Sequence, residues 1–560
     1  MRTLDELSKR LREIDRKGYG AYKSIKGTWV DGPLALIVDH VQGDPFASPS
    51  RVRIRIAPER HGIPPDLFES DVRRVALTDH LLRVFATQAA RIRKVGGSGK
   101  SGRVHVDAGD AEVLPRAGCA IDPEGLELRF RVGLPARGRN VLGKAAADLL
   151  CDELPWAAEG VCWDAIDPDA ARAFVHLAED HAHLQEQLAE QDLVAFIRDG
   201  SILPRESGVS SRPMPDAVPF RAPESLRVRL RTLHHGEVAG MGIPRGVTLV
   251  TGGGFHGKTT LLEAVQSGVY PHVPGDGREW VVTDPDTVKV RSEDGRSVRG
   301  VDLRPFIRDL PGGRDTAWFC TPDASGSTSL AAAILEAAEA GAGCLLLDED
   351  TCATNLLIRD ARMQALVQRE TIVPLIDRVR ELHEALGIST VLVLGGSGDY
   401  LDVADRVILL EDYVPREETS RAHEIASSHP TGRAGVEGAH PLRTSERRVH
   451  ADSFDPRRGR REKVSARGLR ELLFGEEVID LSTLEQLVDD SQARAIGVLL
   501  KELRHRDGEP LREAVRRTLD EARRQGLYAL DPIPELALPR SHEVAAAVNR
   551  LRSLRVSPSS

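Results

Sequence analysis

The sequence predicts an α/β fold: a central domain built on a parallel sheet, preceded by an α+β domain and followed by a small helical domain. Two observations predict the centre. Between residues 225 and 413, strand-forming segments alternate with helix-forming segments, which is typical of a parallel sheet with crossover helices. A glycine-rich turn at 252–257 joins a strand of this region to a helix. A chain of 560 residues is also too long for a single hydrophobic core.

The domain boundaries follow from changes in composition. Apolar spacing predicts a helix over 1–15, strands at 34–41 and 51–56, and a helical stretch over 165–198. Residues 199–224 are rich in Pro, Ser and Arg and are interpreted as a connector. The predicted segments are an N-terminal α+β domain (1–155), a helical segment with connector (156–224), the central domain (225–413), a polar, partly mobile segment (414–465) and a helical C-terminal domain (466–560).

Composition and charge argue against several classes of protein. A net charge of −9 disfavours a uniformly basic coat for nucleic acid, but it allows a local basic patch. The six cysteines form no CxxC pair, so we expect reduced thiols rather than a zinc site. The sequence shows neither a secretory signal nor the ~20 apolar residues that a membrane-spanning helix needs. We therefore expect a cytoplasmic protein without an integral membrane partner.

The glycine-rich turn has the pattern of a phosphate-binding P-loop. Residues 247–263 read VTLVTGGGFHGKTTLLE, in which Gly252 is followed after four residues by Gly257, Lys258 and Thr259. Glycines let backbone N–H groups turn towards phosphate oxygens, and the start of a helix adds partial positive charge. We predict that Lys258 contacts the β- and γ-phosphates of ATP in catalysis and that Thr259 binds Mg²⁺. The residues predicted to bind ATP here are Gly252, Gly253, Gly254, Phe255, His256, Gly257, Lys258, Thr259 and Thr260.

Two other interpretations of this loop stay open. Gly252, Gly254 and Gly257 also fit the GxGxxG pattern of dinucleotide-binding folds, although that pattern does not require the lysine and threonine that follow. A degenerate P-loop could also bind a nucleotide without turnover. A second string, GSGKS at 97–101, lacks the first glycine of a P-loop and is interpreted as a flexible basic loop.

A pair of carboxylates follows a strongly apolar segment. Residues 343–350 read GCLLLDED, which places Asp348 and Glu349 at the carboxyl end of a predicted buried strand. This fits a Walker B motif, in which Asp348 would hold Mg²⁺ and Glu349 would polarise the attacking water as the catalytic base. A solvated acidic turn is the alternative, but the position of the pair after the P-loop favours the catalytic interpretation.

Between these two motifs, Ser325 and Gly326 open an Ala-rich helix in the string PDASGSTSLAAAILEAAEAG at 322–341. The string resembles the signature motif of ABC ATPases, although it has ASGST where LSGGQ is usual. The resemblance implies that Ser325 and Gly326 contact the γ-phosphate of ATP held by the other subunit, at the positive end of a helix. An N-cap serine beside a flexible glycine is the alternative.

The region after the carboxylates departs from the usual ABC pattern. DEDTCATN at 348–355 resembles the D-loop, which lies at the dimer seam. Residues 389–410 occupy the place of the switch region, where ABC ATPases usually have a histidine, but this chain reads GGSGD at 395–399. Ser397 or Asp399 is a candidate sensor of the γ-phosphate, and the missing histidine leaves the hydrolysis rate open. No aromatic residue upstream of the P-loop stands out as a platform for adenine.

Several long strings carry a closer resemblance. They are GGGFHGKTTLL, PGDGREWVVTDPD, DGRSVRGVDLRPFIRDLPGG, DASGSTS, LLLDEDTCATN and GGSGDY in the centre, with KGYGAYKSIKG, RDGSILPR and VDDSQARAIG nearer the ends. They resemble the predicted ABC-class ATPase family, whose members are found in bacteria and in some eukaryotic organelles. The resemblance covers nearly the whole chain. It implies a two-subunit assembly, here expected to be a homodimer, and RNA as a partner.

Two basic segments of the N-terminal domain are candidates for binding nucleic acid. One is the loop RIRKVGGSGKSGR at 91–103, and the other is the turn KGYGAYKSIKG at 17–27. Tyr19 and Tyr22 lie among the lysines of the turn, a pattern that suits phosphate contact and base stacking. Two solvated basic loops are the alternative. The candidate residues of the first loop are Arg91, Arg93, Lys94, Lys100 and Arg103.

We therefore predict an ABC-class ATP hydrolase that uses ATP and Mg²⁺ at a composite dimer site and couples hydrolysis to nucleic-acid binding, foremost RNA. The alternative is a nucleotide-gated scaffold protein with little turnover, which the missing switch histidine motivates. A small-molecule kinase would leave the signature string without a role. A transporter ATPase is disfavoured because the stretch between P-loop and signature is short for a helical coupling subdomain.

Overall fold

A computed structural model describes residues 2–208, 210–367, 369–436 and 438–559 of the chain. The chain divides into two compact units. Met1–Glu179 and Gln525–Leu538 form the N-terminal unit, and Asp180–Arg524 and Pro539–Ser560 form the central unit. The helix Pro168–Glu190 contributes residues to both units.

The N-terminal unit is built on a mainly antiparallel sheet, which includes the strands predicted at 34–41 and 51–56. In Ser50–Ile56, the apolar residues of the alternating sequence are buried and the arginines between them are partly exposed, as expected for a strand with one face on the core. Within the described residues the sheet has seven strands, in the order Arg2–Thr3, Gly27–Asp31, Leu34–His40, Ser50–Ile56, Gly125–Val132 and Val104–His105, with Cys119–Asp122 also paired to Gly125–Val132.

The first helix of this unit, Leu4–Glu13, begins at a capping box. The Thr3 hydroxyl accepts the N–H of Glu6, and the Glu6 carboxylate accepts the N–H of Thr3. Its apolar face buries Leu7 and Leu11, as the spacing predicts. The other elements are helices Pro58–His61, Asp71–Ala90, Gly143–Ala147, Leu154–Glu159 and Leu527–Leu530, a π-helical turn at Asp148–Glu153, 3₁₀ turns at Tyr19–Ile25 and Pro65–Leu67, and the strand pair Ala136–Arg137 with Asn140–Val141.

Residues 525–538 complete the N-terminal unit, although the sequence pattern predicts that they belong to the C-terminal domain. The Tyr528 hydroxyl donates to Asp39 at 3.1 Å, and its ring lies 4.4 Å from the Arg129 guanidinium. Glu535 forms an ion pair with Arg131, and the N–H of Leu538 donates to the Pro115 carbonyl. Contacts between residues so far apart in the chain leave no local pattern in the sequence, so the sequence alone does not indicate that this segment belongs to the N-terminal unit.

The central unit contains the predicted parallel sheet. Its strands lie in the order Thr287–Lys289, Cys344–Asp348, Ser389–Val393, Val247–Gly252, Arg406–Glu411 and Val414–Glu417. The first five run parallel, and the last is antiparallel to its neighbour. Cys344–Asp348 and Ser389–Val393 are buried along their whole length, which accounts for their continuous apolar character.

A second sheet of the central unit corrects one prediction. Its antiparallel strands lie in the order Arg227–Arg231, Glu237–Pro244, Leu193–Arg198 and Val281–Thr283. The sequence pattern predicts a helical stretch over 165–198, which is wrong for the last part: the helix ends at Glu190 and Leu193–Arg198 is a strand. Neighbouring strands pair with it on both sides and bury it, and this pairing overrides the helical pattern before it.

The remaining elements of the central unit surround these sheets. The helices up to residue 428 are Lys258–Ser267, Gly326–Glu339, Thr354–Leu357, Ala361–Leu366, Val379–Leu386 and Thr419–Ser428. A strand pair joins Val298–Val301 to Phe319–Thr321. Short 3₁₀ turns lie at Glu224–Leu226, Glu349–Thr351, Leu375–Asp377, Asp399–Asp402 and Ala451–Phe454.

The C-terminal part of this unit is helical, as predicted, and also contains a sheet that the sequence pattern does not indicate. Its helices are Asp490–Leu503, Leu511–Gln525 and Ser541–Asn549. The sheet consists of Val464–Arg467, Glu471–Phe474 and Glu477–Asp480, and shorter strand pairs join Arg447–Val449 to Val556–Pro558 and Arg457–Arg458 to Arg461–Glu462. In the part of the chain that is described, no helix combines the length and apolar character needed to cross a bilayer.

Candidate functional site

The P-loop, the carboxylate pair and the glycine pair of the switch region follow three neighbouring strands. Val250 pairs with Val393, and Val393 pairs with Asp348. Residues that follow parallel strands in register lie at the same edge of a sheet, where ligands of open α/β folds bind. The three sequence motifs therefore come together at the carboxyl edge of the central sheet.

The P-loop depends on glycine at two positions. Gly252 has φ +142°, and a Cβ there would lie 2.3 Å from the Leu410 carbonyl oxygen of the neighbouring strand. Gly257 has φ +94° and immediately precedes the helix Lys258–Ser267. The two positions allow the chain to turn sharply from strand to helix, with the first amides of the helix open to a phosphate.

The Lys258 side chain folds back over this loop. Its ammonium group donates to the carbonyl oxygens of Gly252 at 2.8 Å and Gly253 at 2.7 Å. Neutral carbonyls hold the charge in place without neutralising it, so the ammonium group can exchange them for phosphate oxygens. Thr259, which follows in the first turn of the helix, is exposed at the same edge.

The two carboxylates have different surroundings. Asp348 ends the buried strand, is 5% exposed and accepts the N–H of Asp350 at 3.2 Å. Glu349 accepts the backbone N–H of Gly395 at 2.7 Å and of Gly396 at 2.9 Å. A Cβ at Gly396 would lie 2.8 Å from Glu349 Oε1, so a larger residue there would displace the carboxylate from this position.

Lys258 and Glu349 both lie close to Gly395 of the switch loop. The position that a Cβ would take on Gly395 is 3.9 Å from both Lys258 Nζ and Glu349 Oε2. Ser397 and Asp399, the candidate sensors of the γ-phosphate, bond each other at 3.2 Å, and that role stays a prediction. The contact of the Glu349 carboxylate with the backbone amides of Gly395 and Gly396 was not predicted, and the glycine pair in the place of the usual histidine is the signal that could have indicated it.

Ser325 and Gly326 lie at the start of the helix Gly326–Glu339, as predicted. Ser325 is exposed, and its hydroxyl bonds the Thr328 hydroxyl at 3.1 Å rather than capping the helix backbone. The Ser327 hydroxyl donates to Asn355 Oδ1 at 2.6 Å, which connects the signature to the D-loop region. The first amides of this helix are therefore available to an external anion.

The donor set at the sheet edge fits Mg²⁺ bound together with a nucleotide. Thr259 and Asp348 offer hard oxygen ligands, and Mg²⁺ commonly takes one or two protein oxygens and completes its shell with phosphates and water. Within the described ranges there is no group of three or more His, Cys, Asp or Glu side chains that could hold a metal without such help. Cys119 and Cys344 are buried, which raises the pKa of each thiol to about 12.

The basic loop at 91–103 is well anchored despite its glycines. The N–H groups of Ser98 and Lys100 donate to the carbonyls of Ala136 and Pro45, and the Ser101 hydroxyl accepts the N–H of Ala136. This geometry agrees with the interpretation that GSGKS is not a P-loop, because Ser101 is buried and no helix begins after it. Of the five candidate cations, Lys100 is half-buried. The other four are exposed: Arg91, Arg93, Lys94 and Arg103.

The tyrosines of the turn at 17–27 are not available for base stacking, which corrects that expectation. Tyr19 is 4% exposed and Tyr22 is fully buried. Their hydroxyls donate to the carbonyls of Leu134 and Pro135, and burial raises the pKa of both. A tyrosine ring is stable in the core when its hydroxyl has a hydrogen-bond partner. Of the lysines and tyrosines of this turn, only the lysines therefore remain exposed to solvent.

The fold and the site define the class: a P-loop NTPase with an ABC-type signature between its two nucleotide motifs. Sequence models of known families agree over most of the chain. The P-loop domain of the ABC ATPases matches residues 167–447, and the N-terminal domain of ATPases of the ABC class matches 4–163. The MRB1590 C-terminal domain matches 463–557. The chain belongs to the family of ABC-class ATPases.

Two individual proteins illustrate the similarity. An uncharacterized protein of Methanocaldococcus jannaschii is 32% identical over 241 residues, which are 41% of this chain and 53% of the relative. The chain thus spans about half the length of that curated relative. The solved structure of cbiO1 from Clostridium perfringens, described as part of the ABC transporter complex cbiONQ, is 13% identical with a TM-score of 0.26, and the match covers 43% of this chain and 96% of that one.

Proposed function

We propose that the protein is an ATP hydrolase that works as a homodimer and couples hydrolysis to RNA binding. One observation supports the hydrolase most directly. Lys258 and Glu349, from two different motifs, both lie near Gly395 at the carboxyl edge of the sheet. A γ-phosphate and an attacking water placed there would each have a charged partner.

In this proposal each motif has one role. The backbone amides of residues 252–258 hold the phosphates, Lys258 neutralises charge on the β- and γ-oxygens, and Glu349 accepts the proton of the attacking water. Thr259 and Asp348 hold Mg²⁺, which supplies further charge stabilisation. Both backbone amides donate to Oε2 of Glu349, so Oε1 is the oxygen that would accept the proton of the water.

The signature completes the site from a second copy of the chain. The start of the helix Gly326–Glu339 is exposed, and its free amides and the Ser325 hydroxyl suit the γ-phosphate. Asn355, bonded to Ser327, would lie at the seam between the copies. A twofold dimer would then contain two equivalent composite sites.

A mixing experiment tests the composite site. Lys258→Ala removes the P-loop function of one copy, and Ser325→Arg blocks the signature of the other. Each variant alone should hydrolyse little ATP, whereas an equal mixture should recover about a quarter of the wild-type rate, because half of the dimers are mixed and each holds one intact site. A mixture no more active than its components would contradict the shared site.

The exposed loop at 91–103 supports the coupling to RNA. Replacing Arg93 and Lys94 together by Ala should weaken RNA binding and reduce its salt dependence by about two counterions. Lys9→Ala, at another exposed lysine of the same unit, is the matched control. Equal RNA binding and salt dependence in all three proteins would remove this loop from the proposal.

Hydrolysis itself is tested with Mg²⁺ and ATP, alone and with RNA, single-stranded DNA or duplex DNA. Stimulation by RNA that Lys258→Ala abolishes is the expected result. Stimulation by DNA but not by RNA would support the hydrolase and replace RNA with DNA as the proposed partner.

A nucleotide-gated scaffold is the second candidate, and a specific observation favours it. Glu349 is held by two backbone amides of the switch loop, where ABC ATPases usually have a histidine. If these contacts keep the carboxylate away from the attacking water when ATP binds, hydrolysis will be slow. Tight ATP binding without turnover under every condition above would select this function over the first.

A further inference from the structure

A two-residue turn beside the P-loop has an unusual backbone. The strands Arg406–Glu411 and Val414–Glu417 are joined through Asp412 and Tyr413, with φ +50° and +67°. Such a turn needs positive φ at both central residues and therefore favours Asn-Gly or Asp-Gly. A tyrosine is strained at the second position, and strain kept at a site indicates a use for the side chain.

The turn is fixed to the P-loop by three contacts. The N–H of Asp412 donates to His256 Nδ1 at 2.8 Å. Leu410 pairs with Gly252 in the parallel sheet. The Tyr413 ring lies against Gly257, where a Cβ would come within 2.8 Å of Tyr413 Cδ1. Gly257 therefore admits the ring to the first turn of the phosphate-binding helix.

The position of this ring suits a nucleobase. A nucleotide held by its phosphates on the P-loop needs a nearby apolar surface for its base, and bases stack on aromatic rings. Tyr413 is supported on one side by the loop and is 48% exposed. Phe255, the other exposed aromatic residue at this edge among those described, is 99% exposed and so has no surface to support it.

We propose that Tyr413 is the platform on which the base of the bound nucleotide stacks. The inference rests on the proposed function, in which the P-loop holds ATP. The platform comes from the chain after the switch region, which is why no candidate is found upstream of the P-loop. Because every base has a stacking face, the ring should serve adenine and guanine alike.

Equilibrium binding to the full-length protein tests the platform, with ATP, GTP and inorganic tripolyphosphate as ligands. Tyr413→Gly should fold readily, since glycine suits this turn. It should weaken ATP and GTP about tenfold, which is the usual order for one stacked base. Tripolyphosphate, which has no base, should bind as tightly as before. Tyr413→Phe keeps the ring and should retain wild-type affinity for all three.

Val414→Ala, at the first residue of the strand that follows the turn, is the matched control and should leave all three affinities unchanged. Wild-type ATP affinity in Tyr413→Gly would overturn the platform while leaving the ATP site intact. An equal loss for ATP and tripolyphosphate would also overturn it, since Tyr413 would then shape the P-loop instead. If the wild-type protein bound none of the three ligands, the proposed function would be contradicted first and the platform with it.

Discussion

The polar groups at the two ends of the signature helix Gly326–Glu339 have opposite surroundings. At the start, Ser325 is exposed and the first amides are open. In the last turn, Glu336 and Glu339 are buried, although carboxylates are unfavourable at the negative end of a helix.

Buried arginines stabilise that last turn. Arg296 donates to Glu336 at 2.7 Å, and the fully buried Arg447 donates to Glu339 at 2.8 Å and to Asn549 at 2.8 Å. One end is thus free to bind, whereas the other is fixed inside the unit. The comparison teaches that groups available for chemistry are held by few and neutral partners, and groups that hold the fold are paired by charge.

The largest effect is expected at the free groups. Glu349→Gln keeps an oxygen that can accept the amides of Gly395 and Gly396, but it removes the base, so ATP hydrolysis should fall by about 10²–10⁴-fold. Stability should change by less than about 0.5 kcal/mol. Steady-state ATPase rates and urea denaturation measure the two. Asp350→Asn, the exposed neighbour, should hydrolyse ATP normally; a wild-type rate in Glu349→Gln would assign the base elsewhere.

The opposite result is expected at the paired groups. Arg447→Met leaves the buried Glu339 carboxylate without its main cation and should lower the free energy of unfolding by about 3–5 kcal/mol. The double change with Glu339→Met should recover much of this loss, because no buried charge is then unpaired. Urea denaturation is the measurement, and Arg448→Met, at the partly exposed next residue, is the control. A loss no larger than that of the control would show that the network is unimportant for stability.

The sequence predicted the free groups better than the paired ones. Gly252, Lys258 and Asp348 were identified because their chemistry requires particular residues at short spacings. The contacts of Glu339 with Arg447 and of Glu349 with Gly395 join distant parts of the chain through ordinary residue types, so no local pattern marks them. The same reason explains why the parallel sheet could be predicted from local patterns. The strand Leu193–Arg198, predicted as helix, and residues 525–538, predicted in the C-terminal domain, depend on pairing with distant parts of the chain.

A buried neutral group extends the comparison to pH. His181 Nε2 lies 3.1 Å from the Gly268 carbonyl, and burial lowers its pKa from 6.5 to about 4, with a smaller contribution from His272. The unfolded chain therefore binds this proton more tightly than the folded chain. The stabilisation is complete above pH 6.5 and decreases as the pH falls towards 4, by about 2 kcal/mol between pH 7.5 and 5.

His181→Gln removes this titration, so the difference in unfolding free energy between pH 7.5 and 5 should be smaller in the variant than in the wild type. Denaturation at the two pH values checks this. Identical pH dependence in both proteins would mean that other groups dominate.

The smallest effects should separate two helix starts. Thr3 caps the helix Leu4–Glu13 through the N–H of Glu6, so Thr3→Ala should lower stability by about 1 kcal/mol. Ser325 does not cap its helix through the side chain within the described structure, so Ser325→Ala should change stability by less than about 0.5 kcal/mol. Thermal unfolding of both variants provides the comparison, and a larger loss for Ser325→Ala would assign it a structural role.

Because residues 525–538 belong to the N-terminal unit, that unit cannot finish folding until nearly the whole chain has been synthesised. Tyr528 and Glu535 complete contacts of a unit whose other residues are synthesised first. At about 5–20 residues per second, roughly half a minute to two minutes of translation pass before residue 538 is available. During that time the N-terminal unit remains unfinished on the ribosome, and the central unit also lacks its last segment, residues 539–560.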